Sequence, residues 1–576
     1  MAPHDIATAW LAEFDAAIAA DDAARAAALF APDGHLRDIL ALTWQFTTVS
    51  GTAAIAGMLE GGIARMHPRN IRLAAGRTAP RRVTRAGVRV IEVILAFETD
   101  LGTGSGVLRL HDAAPARAFT LSLALEALHG YPDVALDRHA SDEDYSRDFG
   151  GENWLDKRNR SRAYADRDPA VLVVGGGQAG LGIAARLKQL GVDTLIIDRE
   201  ARIGDNWRNR YHALTLHNEV HVNHLPYMPF PPTWPVFIPK DKLANWFESY
   251  VDALDLNAWT FTELAGGSYD EAAGHWTVML RRDGAERVMR PRHIVFATGV
   301  SSIPKYAGLP GQADFAGTIL HSGAYTDGAA WKGRRAIVVG TGNSGHDVAQ
   351  DLHASGAHVT MVQRSPTYVV SIREAQSVYA IYTEGLPIAD CDLLATAMPY
   401  EVLRRAYQLS TAASRKADAA LLAGLEARGF RLDFGADDTG FQMKYLRHGG
   451  GYYFNVGCSD LIVDGSIGLI QYDSIDRLSP SGLRLKSGET LQADLLVMAT
   501  GYLNQQDNVR AVLGNTVADR IGPVWGFDEG GELRNMWRQT QQPGLWFTAG
   551  SLAQCRIFSR YLALQIKATE SGIAPR

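Results

Sequence analysis

Cysteine is scarce: Cys391, Cys458 and Cys555 are the only three in 576 residues, far apart and with no Cys-x-x-Cys among them. That excludes a disulfide framework and a redox dithiol, and it makes a reducing cytoplasm the expected compartment. The opening MAPHDIATAW lacks a basic start followed by an apolar core, so no secretory leader is expected. The apolar stretch 170–185 is interrupted by glycines and is too short to cross a bilayer, so no membrane span is expected either. Excess positive charge is missing as well. A formal net charge of -6 gives no electrostatic reason to expect nucleic acid. What remains is an ordinary globular composition, 46% hydrophobic and 21% charged, over a length that suggests roughly three or four domains. The expected partners are small molecules.

Residues 1–141 open with an alanine-rich helical pattern and continue in strand-like runs such as RVIEVILAFETD and RAFTLSLALEAL, an α+β order with no glycine-rich loop. In LFAPDGHLRDILALTWQFTTVSG the segment resembles the cone-shaped domains related to nuclear transport factor 2 and the polyketide-cyclase-like proteins. His35, Arg37, Asp38 and Trp44 are candidates to line such a cone. The competing expectation is docking or homodimer formation without catalysis. Residues 142–168 are polar and charged and are expected to be a surface linker.

Two long-range echoes follow. AVLVVGGGQAGLGIAARLKQLGVDTLIIDRE places Gly175, Gly177 and Gly180 between a buried strand and a helix, with Asp198 closing the next strand. The first glycine permits the turn, the second admits a pyrophosphate, the third lets helix meet strand, and the acid suits a ribose diol. RRAIVVGTGNSGHDVAQDLHASGAHVTMVQRS repeats the device with Gly340, Gly342 and Gly345, but Arg364 stands where the acid would be. A guanidinium there grips a 2′-phosphate that a carboxylate repels. The first site therefore reads as FAD and the second as NADPH, with NADH kept as an alternative. A strand ending in Ala-Thr-Gly also occurs twice, at 297–299 and 499–501, as if a larger side chain would obstruct each passage. The fold class expected is α/β, with two interleaved Rossmann-type dinucleotide-binding domains behind the small α+β domain. The boundaries expected are 169–333 for the first part of the FAD domain, 334–490 for the NADPH domain with a helical insertion at about 374–446, and 491–576 for the FAD-domain return and last helix.

From Pro169 onward the chain resembles the flavin-containing monooxygenases of the N,N-dimethylaniline monooxygenase type and the plant indole-3-pyruvate monooxygenases. It is also similar to the Baeyer-Villiger enzymes. The resemblance rests on both glycine loops, on GDNW at 204–207, and on Phe315, Gly317, His321 and Tyr325, which match a Phe-x-Gly-x-x-x-His-x-x-x-Tyr/Phe pattern. Tyr325 and Thr326 stand where Baeyer-Villiger enzymes usually have Trp-Pro, which favours oxygenation of nitrogen or sulfur over ketones. The N-terminal extension points to a bacterial subgroup. The resemblance implies hydride transfer from the nicotinamide to FAD, reaction with dioxygen and a flavin hydroperoxide that oxygenates a small substrate. It implies flavin contacts from Gln178, Ala179, Arg199, Asn206, Trp207 and, at the start of the last helix, Gln554. Asn343 and Ser344 join the second loop. Asn218 and His321 are the candidate catalytic residues, with His321 read as setting the domains relative to one another. A disulfide reductase of the same architecture lacks its dithiol here, and a non-catalytic nucleotide-binding protein remains the other alternative.

Overall fold

Two five-stranded parallel sheets carry the glycine loops, and both follow one plan. The computed structural model describes residues 2–133 and 148–575, so 142–147 of the expected linker lie outside the described residues. The first sheet runs Asn257–Trp259, Thr194–Ile197, Val171–Val174, His293–Phe296, Leu545–Phe547. The second runs Gly468–Gln471, His358–Gln363, Arg335–Val339, Leu495–Met498, Thr318–His321. Apart from the exposed Arg335 that opens the second, their central strands are apolar and almost wholly buried, as expected where both faces are covered. In each sheet the glycine-loop strand is central. On one side lies the strand that follows its helix; on the other lies the strand ending in Ala-Thr-Gly.

That symmetry moves two expected boundaries. Leu495–Met498, assigned by sequence to the FAD-domain return, pairs with Arg335–Val339 and closes the second sheet. Thr318–His321, assigned to the first domain, forms the edge of the second. The strand that does return to the first sheet is Leu545–Phe547. A parallel strand of four apolar residues carries nothing in its own sequence that says which of two similar sheets it will join.

The polar segment expected as a linker contains a helix, Trp154–Ala163, started by a capping box of Asn153 and Asp156. Tyr164 after it is fully buried, its hydroxyl donating to Asp193 at 2.7 Å. Upstream, helices Pro3–Ala19 and Thr52–Met66 accompany a seven-stranded sheet whose Phe30–Ile39 strand pairs in parallel with Ala118–Leu128. This sheet docks on the rest of the chain through arginines, of which Arg37 and Arg109 are buried. Arg37 pairs with Glu532, Arg109 donates to the Leu394 carbonyl at 2.9 Å, and Arg560 reaches Glu126 at 2.6 Å. Glu92, which accepts from Arg81, Arg85 and Arg109, loses solvation on burial, yet the arginines outweigh that and hold it down to about 2. The insertion is helical, as its composition suggests, with helices Ile388–Thr396, Tyr400–Ala417, Ala419–Ala427 and Gly440–His448. Among the described residues no helix is long and apolar enough to cross a membrane.

Candidate functional site

The two glycine loops are crowded in the same way. A Cβ on Gly175 (φ +112°) would stand 2.7 Å from the Ala297 carbonyl oxygen, and one on Gly340 (φ +118°) 2.3 Å from that of Ala499. A Cβ on Gly180 would stand 1.9 Å from the Gly175 oxygen, and one on Gly345 2.2 Å from the Gly340 oxygen. The first and third glycines of each loop are therefore required by backbone contact. The middle glycines differ from them. Gly177 faces only the Asn206 amide, and the nearest atom to a Cβ on Gly342 is 3.7 Å away. Helices Gln178–Gln189 and Asn343–Ala354 start at these glycines without a side-chain cap, which leaves first-turn N–H groups for an anionic ligand. At the Ala-Thr-Gly passages the crowding falls on the alanines. Gly299 and Gly501 have open space around them, and their positive φ, +76° and +82°, is what calls for glycine. The sequence expectation of an obstructed passage is corrected to that extent.

Both loops open into one cavity of about 1390 Å³. Of the residues singled out by sequence, Gly175, Gly177, Gln178, Ala179, Asp198, Arg199, Asn206, Trp207, Asn218, His321, Asn343, Ser344 and Gln554 line it. Gly180, Gly340, Gly342 and Gly345 lie behind the lining, and Arg364 stands exposed at the end of its strand, outside it. Asp198 accepts the Gly176 and Glu200 N–H groups at 2.6 and 2.9 Å, which ties the strand end to its own loop. Burial raises its carboxyl above the usual range, against those two hydrogen bonds. Arg199 points to solvent beside Glu200. Asn206 stands across from Gly177 with its Nδ2, and its Oδ1 is buried with no hydrogen-bond partner among the described residues. Such an orphan acceptor beside an uncapped helix start fits a bound dinucleotide.

Trp207 donates to Gln178 at 3.2 Å, and Gln178 donates to the Gly550 carbonyl at 3.2 Å, linking the loop to the approach of the last helix, Leu552–Glu570. Gln554 forms a capping box with Ser551 and accepts from the Tyr445 hydroxyl at 3.1 Å. It holds that helix start in the cavity wall. Asn343 accepts the Phe454 N–H at 2.9 Å and so fastens the second loop to the insertion's closing strand. Asn218 and Tyr379 both line the cavity, and the Tyr379 hydroxyl takes a hydrogen bond from Gln442 at 3.2 Å. Burial raises the Tyr379 phenol above its ordinary value.

In the connector, Gly317 has no room for a side chain between the Phe315 ring and the Asp494 carbonyl, at 2.5 and 2.6 Å from a Cβ. His321 is buried, its Nε2 3.0 Å from the Gly501 carbonyl oxygen and its Nδ1 accepting the Gly323 N–H at 3.1 Å. Both nitrogens are thus engaged by backbone, which calls for a neutral ring with the proton on Nε2. Desolvation lowers its pKa, with Arg210 adding to the effect against the Gly501 hydrogen bond. The ring lies edge-on to Tyr306 and Tyr502. Tyr325 is buried in the second domain with its hydroxyl donating to Asp351 at 2.5 Å, and it does not line the cavity.

Sequence reasoning missed much of the wall. Tyr379, Tyr445 and Phe454 come from the insertion and its flanks, Tyr502 follows the second Ala-Thr-Gly, and Phe46, Arg37 and Arg85 come from the N-terminal sheet. Of the four residues considered for a separate cone, Arg37 reaches this cavity, while His35 contacts Ser50, Asp38 holds the turn at 41–43, and Trp44 is buried. Tyrosine spacing in a helical insertion has no periodic signal that separates cavity from core.

Residues 172–383 match the family model described as pyridine nucleotide-disulphide oxidoreductase. The chain is 31% identical to an indole-3-pyruvate monooxygenase of rice, YUCCA1 from Oryza sativa subsp. japonica, over 58% of this chain and 77% of that protein. It is 29% identical to the probable indole-3-pyruvate monooxygenase YUCCA4 of Arabidopsis thaliana, over 58% and 75%. The chain belongs to the flavin-dependent monooxygenases. Among solved structures, cyclohexanone monooxygenase in an open form is similar at a TM-score of 0.52 and 18% identity, covering 70% of this chain and 88% of that one. The NADP⁺-bound enzyme from Rhodococcus sp. Phi1 gives 0.51 and 18%, covering 70% and 84%. These establish the shared two-Rossmann fold. As a flavin monooxygenase the protein needs no dithiol, and its three cysteines are free and buried.

Proposed function

We propose that this flavin monooxygenase holds FAD at the first loop, takes its electrons from NADPH at the second, with NADH as the alternative donor, and transfers one oxygen atom of O₂ to a nucleophilic sulfur or nitrogen of a small substrate. The observation that carries the reading is the single cavity shared by both glycine loops and the start of the last helix. Asp198 would hold the FAD ribose, and the helix start at Gln178 its pyrophosphate. Arg364, exposed at its strand end, would receive a 2′-phosphate. When bound, FAD supplies two-electron reduction by the nicotinamide and activation of dioxygen. The chain's own part is positional. The Leu552–Glu570 helix start directs its dipole at the cavity, the insertion covers it against water, and Asn218 stands in the same lining as Tyr379. His321 ties the connector to Gly501 and keeps the second domain in register.

Ketone oxygenation is the competing chemistry. Tyr325, whose identity favoured sulfur and nitrogen in the sequence, lies outside the cavity, so its influence on the acceptor is indirect. The deciding experiment is to purify the protein, record bound FAD, and follow NADPH and NADH oxidation with sulfides, amines and ketones while identifying the products. A yellow protein yielding sulfoxide or N-oxide is expected. Ester as the preferred product would shift the reading to ketones, and a protein that cannot be loaded with FAD would end it. His321→Ala is expected to keep oxidising NADPH while product yield falls and hydrogen peroxide rises; unchanged coupling would reduce His321 to a packing residue.

A further inference from the structure

Beyond the glycine loops the cavity has an aromatic wall assembled from three distant parts of the chain. Phe46, from the N-terminal sheet, lies 6.0 Å from Phe558 of the last helix, and Phe558 stacks on Trp537 at 4.2 Å and 12°. All three line the cavity, and Phe46 also meets Tyr561 edge-on at 5.9 Å. The charged groups around this wall are already matched. Arg37 holds Glu532 through two hydrogen bonds at 2.9 and 2.7 Å, and Thr48 donates to the same carboxylate at 2.9 Å. Arg85 is shared between Glu92 and Glu384. Arg199 pairs with Glu200. Among the described lining arginines, only Arg210 has no carboxylate partner, and it contacts the Asn206 carbonyl and the Tyr502 hydroxyl.

We infer that the N-terminal sheet completes the substrate chamber, that Phe46 sets the size of ring the chamber accepts, and that the substrate is an uncharged aromatic compound. This rests on the monooxygenase reading for the fate of the substrate, but not for its binding. The rings pack closely, with Phe46 5% and Trp537 1% exposed, so what they present to a planar apolar ligand is ring edge together with the partly exposed Phe558. A carboxylate brought to the same wall would be desolvated, and Arg37 and Arg85, the arginines that the N-terminal sheet contributes, already hold Glu532, Glu92 and Glu384. An anionic aryl 2-oxo acid of the kind named for the plant relatives would therefore be a poor ligand at this wall.

The test uses the full-length, FAD-loaded protein and reads equilibrium binding by quenching of tryptophan fluorescence, since Trp537 lies in the wall. Methyl phenyl sulfide is compared with 4-(methylthio)benzoate, which differs by one carboxylate, and the charged compound is expected to bind at least about tenfold more weakly. Phe46→Ala should weaken methyl phenyl sulfide by about tenfold while tightening methyl 2-naphthyl sulfide. Phe46→Trp should do the reverse, and Phe46→Leu should fall between. Equal binding of the charged and neutral sulfides overturns the inference. So does a parallel loss of both neutral sulfides across the variants, the behaviour of a merely structural residue. Because binding is read without turnover, a protein that binds the neutral sulfides as expected and fails to oxygenate them refutes the proposed function and leaves this inference standing.

Discussion

The two glycine loops share a backbone and differ in what lies at the strand end. At the first, Asp198 folds back onto the Gly176 N–H and is partly buried, so the acid is part of the loop before any ligand arrives. At the second, Arg364 projects to solvent and makes no such closure. A difference also lies inside the helices: the position after the third glycine is Leu181 in one and His346 in the other, both fully buried. The first site is preorganised by its own side chain. The second shares the same steric frame but leaves Arg364 in solvent, so on the proposed reading nucleotide choice there would be adjustable without disturbing the fold.

The largest effect should come from the shared frame. Gly180→Ala drives a Cβ into the Gly175 carbonyl oxygen, so a loss of about 3 kcal/mol or more and of bound FAD is expected by thermal melting and flavin absorbance. Gly342→Ala meets nothing closer than 3.7 Å, and its melting point should stay near wild type while the KM for NADPH rises. Equal melting losses at the two positions would break the distinction between crowded, framing glycines and the uncrowded middle one.

Next comes the histidine within the second helix. Burial holds His346 down to about 4, with hydrogen bonds to Gly342 and Thr341 and the Asp347 charge opposing, and its ring stacks on Tyr453 at 3.8 Å. The unfolded chain takes up this proton near pH 6.5 and the folded chain does not, so stability contributed above 6.5 is lost as pH falls toward 4. The full shift corresponds to roughly 3 kcal/mol. His346→Phe keeps the stack and removes the titration, so its melting point should fall less than wild type between pH 7 and pH 5. An unchanged pH slope would place the sensitivity elsewhere.

Smaller effects should fall on the strand ends themselves. Asp198→Ala removes the acceptor of two backbone N–H groups, and about 1–3 kcal/mol of stability with faster FAD loss is expected. Arg364→Ala should leave melting unchanged and raise the KM for NADPH about tenfold relative to NADH. If Asp198→Ala retained FAD normally, or Arg364→Ala affected both nucleotides alike, the contrast between a preorganised and a ligand-completed site would fail.

The amino-acid sequence by itself determined the two glycine loops, the acid and arginine that follow them, and the Phe315 to Tyr325 pattern. Each of these is a demand made within a few consecutive residues, where sterics of the turn and the first helical turn leave little choice. Only the tertiary structure decided that Leu495–Met498 joins the second sheet, that His321 meets the Gly501 carbonyl, and that Arg37 and Phe46 reach the cavity. The Arg37–Glu532 pair spans 495 positions, and the Phe46 and Phe558 rings come from opposite ends of the chain. Contacts of that kind depend on how separately folded sheets pack against one another. No local pattern encodes the choice, because an arginine or a phenylalanine on a strand is equally suited to several buried neighbours until the partner surface arrives.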